Sequence, residues 1–376
     1  MRGLIKKGID VYLNYKSFTT NRQLLVIESD DWGSLRTKDK HTRDKLNLIG
    51  AKVTNDPYIQ LDSIASADDL TVLFQALNSV KDAKGNSACI TPNVCTANPD
   101  FEAIKSTNFE EFRYKGFTET LDQYSRGENL FDLWKSGEGE MLFMPQLHGR
   151  EHLHALAWLD ELKAGNTDLL KAFDLETWGI PYTALIKQKR KNLQAALDVY
   201  GMEGEADYHK QWIEDSANIF KNSFGYASKS FIAPAYHWHE NVHNELAQSK
   251  IKTLQGIKLQ YQPLTRKNKD FIRKPHYLGE LDRSSGLVYT VRNAFFEPHL
   301  ASHKDWVDIA LTGVKQAFEN KKPAIIGSHR INFIGRLDER HRAKNIAMFR
   351  DMLQQLVKNY PNIEFIDSGR LADIIC

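Results

Sequence analysis

Short apolar runs that end in polar clusters recur along this chain. The first run, residues 24–27, leads directly into Glu-Ser-Asp-Asp-Trp-Gly at residues 28–33. Later runs end in the same way, at residues 88–90, 141–144, 231–233, 288–291, 324–326 and 363–366. Continuous apolar runs, as opposed to alternating ones, are typical of strands buried on both faces. The pattern therefore predicts a parallel sheet.

Stretches with helical spacing lie between these runs, at residues 69–78, 306–318 and 342–356. A strand, a polar cluster and a helix, repeated about seven times, are the sequence signature of a (β/α) barrel. In such barrels the chemistry gathers at the carboxyl ends of the strands, where this chain carries His, Asp and Arg. We therefore predict an α/β enzyme built on a distorted (β/α)7–8 barrel.

Residues 156–228 break this rhythm. They contain helical patterns at residues 189–199 and 208–220, without an apolar run of the strand type between them. We interpret the segment as a helical insertion within one catalytic barrel domain that spans residues 1–376.

Composition narrows the class of protein. The 376 residues carry 50 Lys and Arg against 48 Asp and Glu, which argues against a nucleic-acid partner. The mean hydropathy is −0.49, and no apolar run approaches the length of a membrane span. The N-terminus shows no apolar signal region, and three cysteines form no disulfide framework. We expect a cytoplasmic protein with no membrane span.

Two adjacent carboxylates, Asp30 and Asp31, follow the first predicted strand. Successive side chains of an extended segment point in opposite directions, so one carboxylate could bind a metal while the other takes a proton. A turn or a helix cap would explain the same residues, because Asp and Gly are favoured in both.

A histidine pair, His148 and His152, follows the third run at i, i+4 spacing. On a helix or helical turn this spacing places two ligands on one face. His154 would not converge with them, and Glu151 in the sequence HGREH disfavours a zincin protease. Two histidines and a carboxylate leave one metal position open for water. A hydrogen-bonded histidine cluster is the alternative.

Two further strand exits carry candidate residues. His329 follows the run 324–326, where a histidine is well placed as a general acid or base, although a structural histidine fits equally. Tyr236 lies in an aromatic, proline-containing exit at residues 233–238, which could line a sugar cleft or form a rigid turn. Tryptophans near strand ends, Trp32 and Trp306 first, could stack on a sugar ring or serve only in packing.

In this order, from about residue 24 to residue 329, the motifs resemble the polysaccharide deacetylase (NodB-homology) family. The family's metal-dependent enzymes share a distorted (β/α) barrel. By this resemblance Asp30 is the catalytic base, and Asp31, His148 and His152 hold the metal. The resemblance also implies that His329 is the general acid.

The resemblance assigns further roles around this centre. Asp305 would tune His329, the backbone N–H of Tyr236 would help hold the oxyanion, and Trp306 would line the pocket. Trp32, Tyr236, Trp306 and Arg330 are our substrate-binding candidates.

The chain departs from the family's pattern at several positions, as a divergent branch would. Gly149 stands where the family has Ser or Thr. The arginine that orients the catalytic aspartate is absent from residues 231–234. Arg150, Arg292 or Arg330 could supply its charge from another strand.

The resemblance implies a hydrolase that removes N-acetyl groups, in preference to O-acetyl groups, from a carbohydrate. An acetylated amino sugar or polysaccharide would be the substrate. One divalent metal is expected, zinc first, although cobalt or nickel also suits two imidazoles and a carboxylate.

Three other functions stay open from sequence. A metal-independent glycoside hydrolase would use Asp30 or Asp31 with a second carboxylate such as Asp367. A carbohydrate-binding relative would have kept the barrel and lost the chemistry. A metal-dependent amidohydrolase would act on a small amide that is not a sugar.

Overall fold

The computed structural model describes residues 12–125, 127–181, 193–264 and 271–376. Its strands are β1 Gln23–Trp32, β2 Thr91–Val94, β3 Ala97–Pro99, β4 Tyr114–Gly116, β5 Gln146–Leu147, β6 Ser230–Ile232, β7 Thr253–Gly256, β8 Leu259–Pro263, β9 Phe271–Pro275, β10 Glu280–Leu281, β11 Val288–Val291, β12 Ala294–Phe295, β13 Ala324–His329 and β14 Ile363–Phe365. Its α-helices are Lys40–Leu46, Ala51–Thr54, Pro57–Leu61, Ala67–Asn78, Phe101–Ser106, Phe117–Tyr124, Leu130–Gly139, Ala155–Lys163, Thr167–Asp174, Glu205–Phe224, His243–Gln248, Trp306–Glu319, Glu339–Asn359 and Ser368–Ile375. None of the described helices is both long and apolar enough to cross a membrane.

One large sheet organises the chain. Its strand order is β10-β11-β7-β6-β5-β2-β1-β13-β12, and β14 pairs with β1. All of these pairings are parallel except β10 with β11. Parallel strands need crossover connections, which the helices between them supply. The carboxyl ends of β1, β2, β5, β6, β11 and β13 consequently lie at the same edge.

β11, which lies next to the end strand β10, and β12, which lies at the other end of the order, belong to one continuous segment. β11 pairs with β7 and β12 pairs with β13, although only two residues separate β11 from β12. Within that link, Arg292 N donates to Gly256 O at 2.9 Å and Asn293 N donates to Ile325 O at 3.1 Å. The segment 288–295 therefore joins both ends of the sheet and closes it into a barrel-like layer. The α/β, barrel-like architecture predicted from sequence is confirmed at this level.

Most of the apolar runs coincide with strands, but two runs lie just before a strand and the strand β7 has no such run. The runs 88–90 and 141–144 precede their strands, because β2 begins at Thr91 and β5 at Gln146. β7, with the sequence Thr-Leu-Gln-Gly, was not predicted at all. Its Gln255 is buried in hydrogen bonds to Asn93 and Ser230, so a polar residue occupies a core strand.

The predicted helices at 69–78, 306–318, 342–356 and 208–220 all lie within observed helices. The helix predicted at 189–199 is wrong for its described part, because residues 193–199 form turns. Residues 189–192 lie outside the described part of the chain.

The segment 156–228 contributes to two different cores. The helices Ala155–Lys163 and Thr167–Asp174 pack into a cluster that includes Trp158 and Trp178. The helix Glu205–Phe224 instead buries Trp212 in the main barrel core. This last helix therefore packs as an outer helix of the barrel.

Candidate active site

Asp30 and Asp31 occupy the carboxyl end of β1, where the barrel edge gathers its polar side chains. Asp30 is in register with His329 of β13. Asp31 has φ of 72°, a left-handed conformation that a non-glycine residue rarely adopts. Strained residues of this kind cluster at functional sites. The two carboxylates point to different partners, Asp30 to Arg292 and Asp31 to two histidines.

Asp31, His148 and His152 form a group of three buried ligand atoms that lie within 4.8 Å of one another. The Nε2 atoms of His148 and His152 each lie 3.5 Å from Asp31 Oδ1. Two ligand atoms about 2.1 Å from a tetrahedral zinc would lie about 3.4 Å apart. The spacing therefore fits a divalent metal.

The hydrogen bonds of these residues also leave ligand atoms free. Asp31 Oδ1 and His148 Nε2 are buried and have no hydrogen-bond partner among the described residues. His148 Nδ1 lies 2.9 Å from Ile232 O, to which it can only donate. The carbonyl thus holds a proton at Nδ1 of His148, and Nε2 faces Asp31. Metal-binding histidines are commonly oriented by this type of contact.

Electrostatics keep Asp31 and His152 in the protonation states that a metal needs. Burial lowers the pKa of His152 to about 3, so its imidazole is neutral. Burial alone would raise the pKa of Asp31, but the Arg36 guanidinium holds it well below its ordinary value. Arg36 Nη2 lies 3.3 Å from Asp31 Oδ2. The group therefore holds an ionised carboxylate at Asp31 and a neutral imidazole at His152, the forms in which these residues bind a metal.

The histidine pair converges through a loop, not through the helix or helical turn expected from its spacing. Residues 148–154 carry no helical turn, and Gly149 has φ of +95°. A Cβ at position 149 would lie 1.8 Å from the indole of Trp212. Trp212 Nε1 also donates to Glu151 Oε1 at 2.9 Å, which anchors the loop. The Ser or Thr of the family's pattern would collide here.

Arg292 orients Asp30. Its Nη1 donates to Asp30 Oδ2 at 2.7 Å and its Nη2 donates to Oδ1 at 2.6 Å. Its Nε donates to Glu28 Oε2 at 2.7 Å, and Asn93 Nδ2 donates to Asp30 Oδ1 at 2.8 Å. Of the three arginines left open by the sequence, Arg292 is the one on this carboxylate. Burial opposes ionisation of Asp30, but Arg292 holds its pKa well below the ordinary value.

Glu297, not Asp305, is the carboxylate on His329. Glu297 Oε1 lies 2.7 Å from His329 Nδ1. Burial would lower the pKa of His329, but the charge of Glu297 raises it to about 9. Asp305 is exposed and caps the helix Trp306–Glu319, where it accepts from Asp308 N at 3.0 Å. The role expected for Asp305 is therefore wrong, because this carboxylate is the N-cap of a helix and Glu297 occupies the position on His329.

The substrate-binding candidates need similar corrections. Tyr236 N donates to Ala233 O at 3.0 Å, so this N–H is used within its own turn. The hydroxyl of Tyr236 instead lies 3.1 Å from Arg292 Nη1. Arg330 is 1% exposed and pairs with Asp62 through two hydrogen bonds, so it is a structural residue and does not present its side chain to a substrate.

Neither of the two favoured tryptophans offers a face to a ligand. Trp32 is 1% exposed and packs against Trp134 and Phe143 in the main core. Its Nε1 donates to Ser29 Oγ at 2.9 Å. Trp306 is 7% exposed, and its Nε1 donates to Ala301 O. Both residues pack the barrel.

A second buried group, His154, Glu205 and His209, has the composition of a metal site but a different hydrogen-bond pattern. His154 Nδ1 accepts from Ala157 N at 3.2 Å, so the ring proton lies on Nε2. That Nε2–H faces Glu205 Oε1 and Asp198 O, each at 3.1 Å. The nitrogen that would bind a metal is already a donor, and we interpret this group as structural.

Three residues that contact the predicted site residues were not predicted from sequence: Glu297, Asn93 and Arg36. Glu297 follows the apolar residues 294–296, so the rule of polar residues after an apolar run would have found it. Asn93 lies within β2, and Arg36 lies in the segment between β1 and β2. No spacing relates Asn93 and Arg36 to the other motifs.

No family model and no curated protein sequence matches this chain. Among solved structures, it is similar to a candidate polysaccharide deacetylase from Mycobacterium smegmatis, at 10% identity and a TM-score of 0.44 over 96% of this chain and 92% of that one. It is also similar to a candidate glycoside hydrolase/deacetylase from Parabacteroides distasonis (10% identity, TM-score 0.46, 95% and 72% covered). A GH57 branching enzyme from Thermococcus kodakaraensis aligns at 9% identity (TM-score 0.45, 94% and 71% covered). These values are too low to assign an activity.

Proposed function

We propose that this chain is a metal-dependent hydrolase that removes N-acetyl groups from a carbohydrate. One observation carries the proposal: three metal-ligand atoms converge beside an ionised aspartate and a protonated histidine. The ligand atoms belong to Asp31, His148 and His152. Asp30 and His329 face each other beside them, with 3.8 Å between Asp30 Oδ2 and His329 Nε2.

Asp31, His148 and His152 would hold the metal, and zinc suits this donor set, as do cobalt and nickel. A divalent metal bound there lowers the pKa of a water molecule and polarises a carbonyl group.

The chain's own residues supply the proton transfers. Asp30 is ionised and fixed by Arg292, so its carboxylate can accept a proton from the attacking water. His329 is protonated below about pH 9, and Glu297 holds its Nδ1, so its Nε2–H points away from Glu297. His329 then gives a proton to the departing amine. An amide nitrogen is a poor leaving group without this proton, which explains the need for a positioned acid.

The carbohydrate as acyl carrier is taken from the family resemblance of the motifs. Acetate release from N-acetylglucosamine oligomers, measured with and without added zinc and with a chelator, tests the whole proposal. We expect release that needs the metal, and its loss in Asp30→Asn with the metal still bound. Asp305→Asn serves as the control with unchanged activity. Metal-free activity, or near-normal turnover by Asp30→Asn, would contradict the proposal.

The glycoside hydrolase alternative has weaker support at this site. Asp367, its second carboxylate, caps the helix Ser368–Ile375 and accepts from Arg370 N at 3.0 Å. Glu28, another carboxylate near Asp30, is buried in a salt bridge with Arg292. A glycosidase needs a second carboxyl group across the scissile bond, and neither residue is free to act as one.

A further inference from the structure

Tyr58 borders the active site from a short helix, Pro57–Leu61, that none of the motifs includes. Asp56 caps this helix by accepting from Tyr58 N at 2.9 Å and from Ile59 N at 3.1 Å. Ile59 is buried, and its carbonyl accepts from Thr37 Oγ1 at 3.0 Å. The backbone that carries Tyr58 is therefore fixed on both sides before any ligand binds.

The ring of Tyr58 contacts residues of the proposed site. Its centroid is 5.8 Å from the His329 ring and 5.2 Å from the His299 ring. The guanidinium carbon of Arg36 lies over the ring, 4.7 Å from its centroid. Because Arg36 also contacts Asp31, Tyr58 neighbours both the proposed general acid and a residue that pairs with a proposed metal ligand.

The hydroxyl of Tyr58 is a free hydrogen-bond donor. Tyr58 is partly exposed, and its hydroxyl makes no hydrogen bond to any residue in the described ranges. Burial, followed by the negative charges of Asp31 and Glu297, raises the pKa of the phenol well above its ordinary value. The hydroxyl therefore keeps its proton at neutral pH.

The site needs such a donor. An acyl oxygen gains negative charge as its carbonyl is attacked, and donors aimed at that oxygen lower the barrier. The expected donor, the N–H of Tyr236, is used by Ala233 O. We propose that the Tyr58 hydroxyl donates the hydrogen bond to the substrate's acyl oxygen, without transferring its proton. This inference rests on the proposed deacetylase function.

Tyr58→Phe tests the proposal, since it removes the hydroxyl and keeps the ring that packs on His329. We expect kcat to fall about 100- to 1,000-fold, as when one oxyanion donor is removed, with KM within about twofold. Metal content and thermal stability should equal those of wild type. Tyr360→Phe, whose ring packs on Phe318, is the control and should keep full activity.

A second readout needs no turnover. A phosphonamidate analogue of the N-acetyl group mimics the charged tetrahedral species, and calorimetry should show weaker binding to Tyr58→Phe than to wild type. Wild-type kcat in Tyr58→Phe, or a loss confined to KM, would overturn the role of Tyr58 while leaving the deacetylase proposal intact. An inactive wild type that binds no analogue would overturn both.

Discussion

The guanidinium of Arg292 donates two hydrogen bonds, of 2.6 and 2.7 Å, to the two carboxylate oxygens of Asp30. Both side chains are buried, so the pair is shielded from solvent and its geometry is fixed. Arg292 lies in the segment that joins β11 to β12, whereas the arginine of the pattern that the motifs resemble would stand at residues 231–234, at the end of β6. The segment that joins β11 to β12 therefore supplies the charge that orients Asp30, the proposed base.

Arg292→Lys keeps the positive charge and loses the two-pronged contact, because an ammonium group cannot match both carboxylate oxygens. We expect kcat to fall about 100-fold, in the range of a positioned general base. The acidic limb of the pH profile should also move to higher pH, since Arg292 is what holds the pKa of Asp30 down.

Arg342→Lys is the control for Arg292→Lys. Arg342 is mostly buried and pairs through Nη1 with Asp68 and Asp69, which are not among the proposed site residues. We expect this control variant to have a lower free energy of unfolding than wild type, and its folded fraction to have the wild-type kcat. Equal kcat losses in both variants, in steady-state assays with folding checked by circular dichroism, would show that Arg292 acts only on the fold.

Glu297→Gln should move the basic limb of the kcat profile to lower pH. Glu297 raises the pKa of His329 to about 9, so the acid stays protonated, and active, up to that pH. Without the carboxylate, burial dominates and the pKa of His329 falls, so activity is lost as the pH rises through a lower value. Rates from pH 6 to 10 would show this shift. Asp305→Asn should leave the basic limb unchanged. A shift of the basic limb in Asp305→Asn and none in Glu297→Gln would show that Asp305, not Glu297, tunes His329.

Metal binding should depend on the histidine pair. We expect about one divalent metal per purified wild-type chain, and its loss in His148→Ala combined with His152→Ala, by elemental analysis. Because a metal bound only to the folded state stabilises it, a chelator should lower the Tm of wild type and not of the double variant. His303→Ala, an exposed histidine, is the control and should bind like wild type. If wild-type protein contained no metal after incubation with zinc, the proposed metal site would be contradicted.

The sequence predicted the polar residues at the strand ends, but not the residues that form hydrogen bonds and ion pairs with them. Asp30, Asp31 and His329 follow apolar runs, so hydrophobic patterning alone placed them at one barrel edge. Glu297 and Arg292 act through contacts across strands that no periodicity encodes. Trp32 and Arg330 lie beside site residues in sequence, yet Trp32 packs on Trp134 and Phe143 and Arg330 pairs with the buried Asp62, contacts that the sequence pattern does not encode.

Gly149 should be irreplaceable by the serine of the family's pattern. Its φ of +95° disfavours any side chain, at a cost of order 1–3 kcal/mol. A Cβ would also lie 1.8 Å from the indole of Trp212, which is fully buried and cannot move aside without exposing a core cavity. Overpacking of this kind typically costs about 1–3 kcal/mol more.

Thermal unfolding of Gly149→Ser should therefore show a loss of about 2–6 kcal/mol in the free energy of unfolding. Gly201→Ser separates the two causes, since Gly201 has φ of +75° and no atom within 4 Å of the position of its Cβ. It should show the backbone cost alone. Metal content should fall only in Gly149→Ser, because the collision displaces the loop between His148 and His152. If both variants lost the same stability and both kept their metal, Trp212 would not constrain this loop.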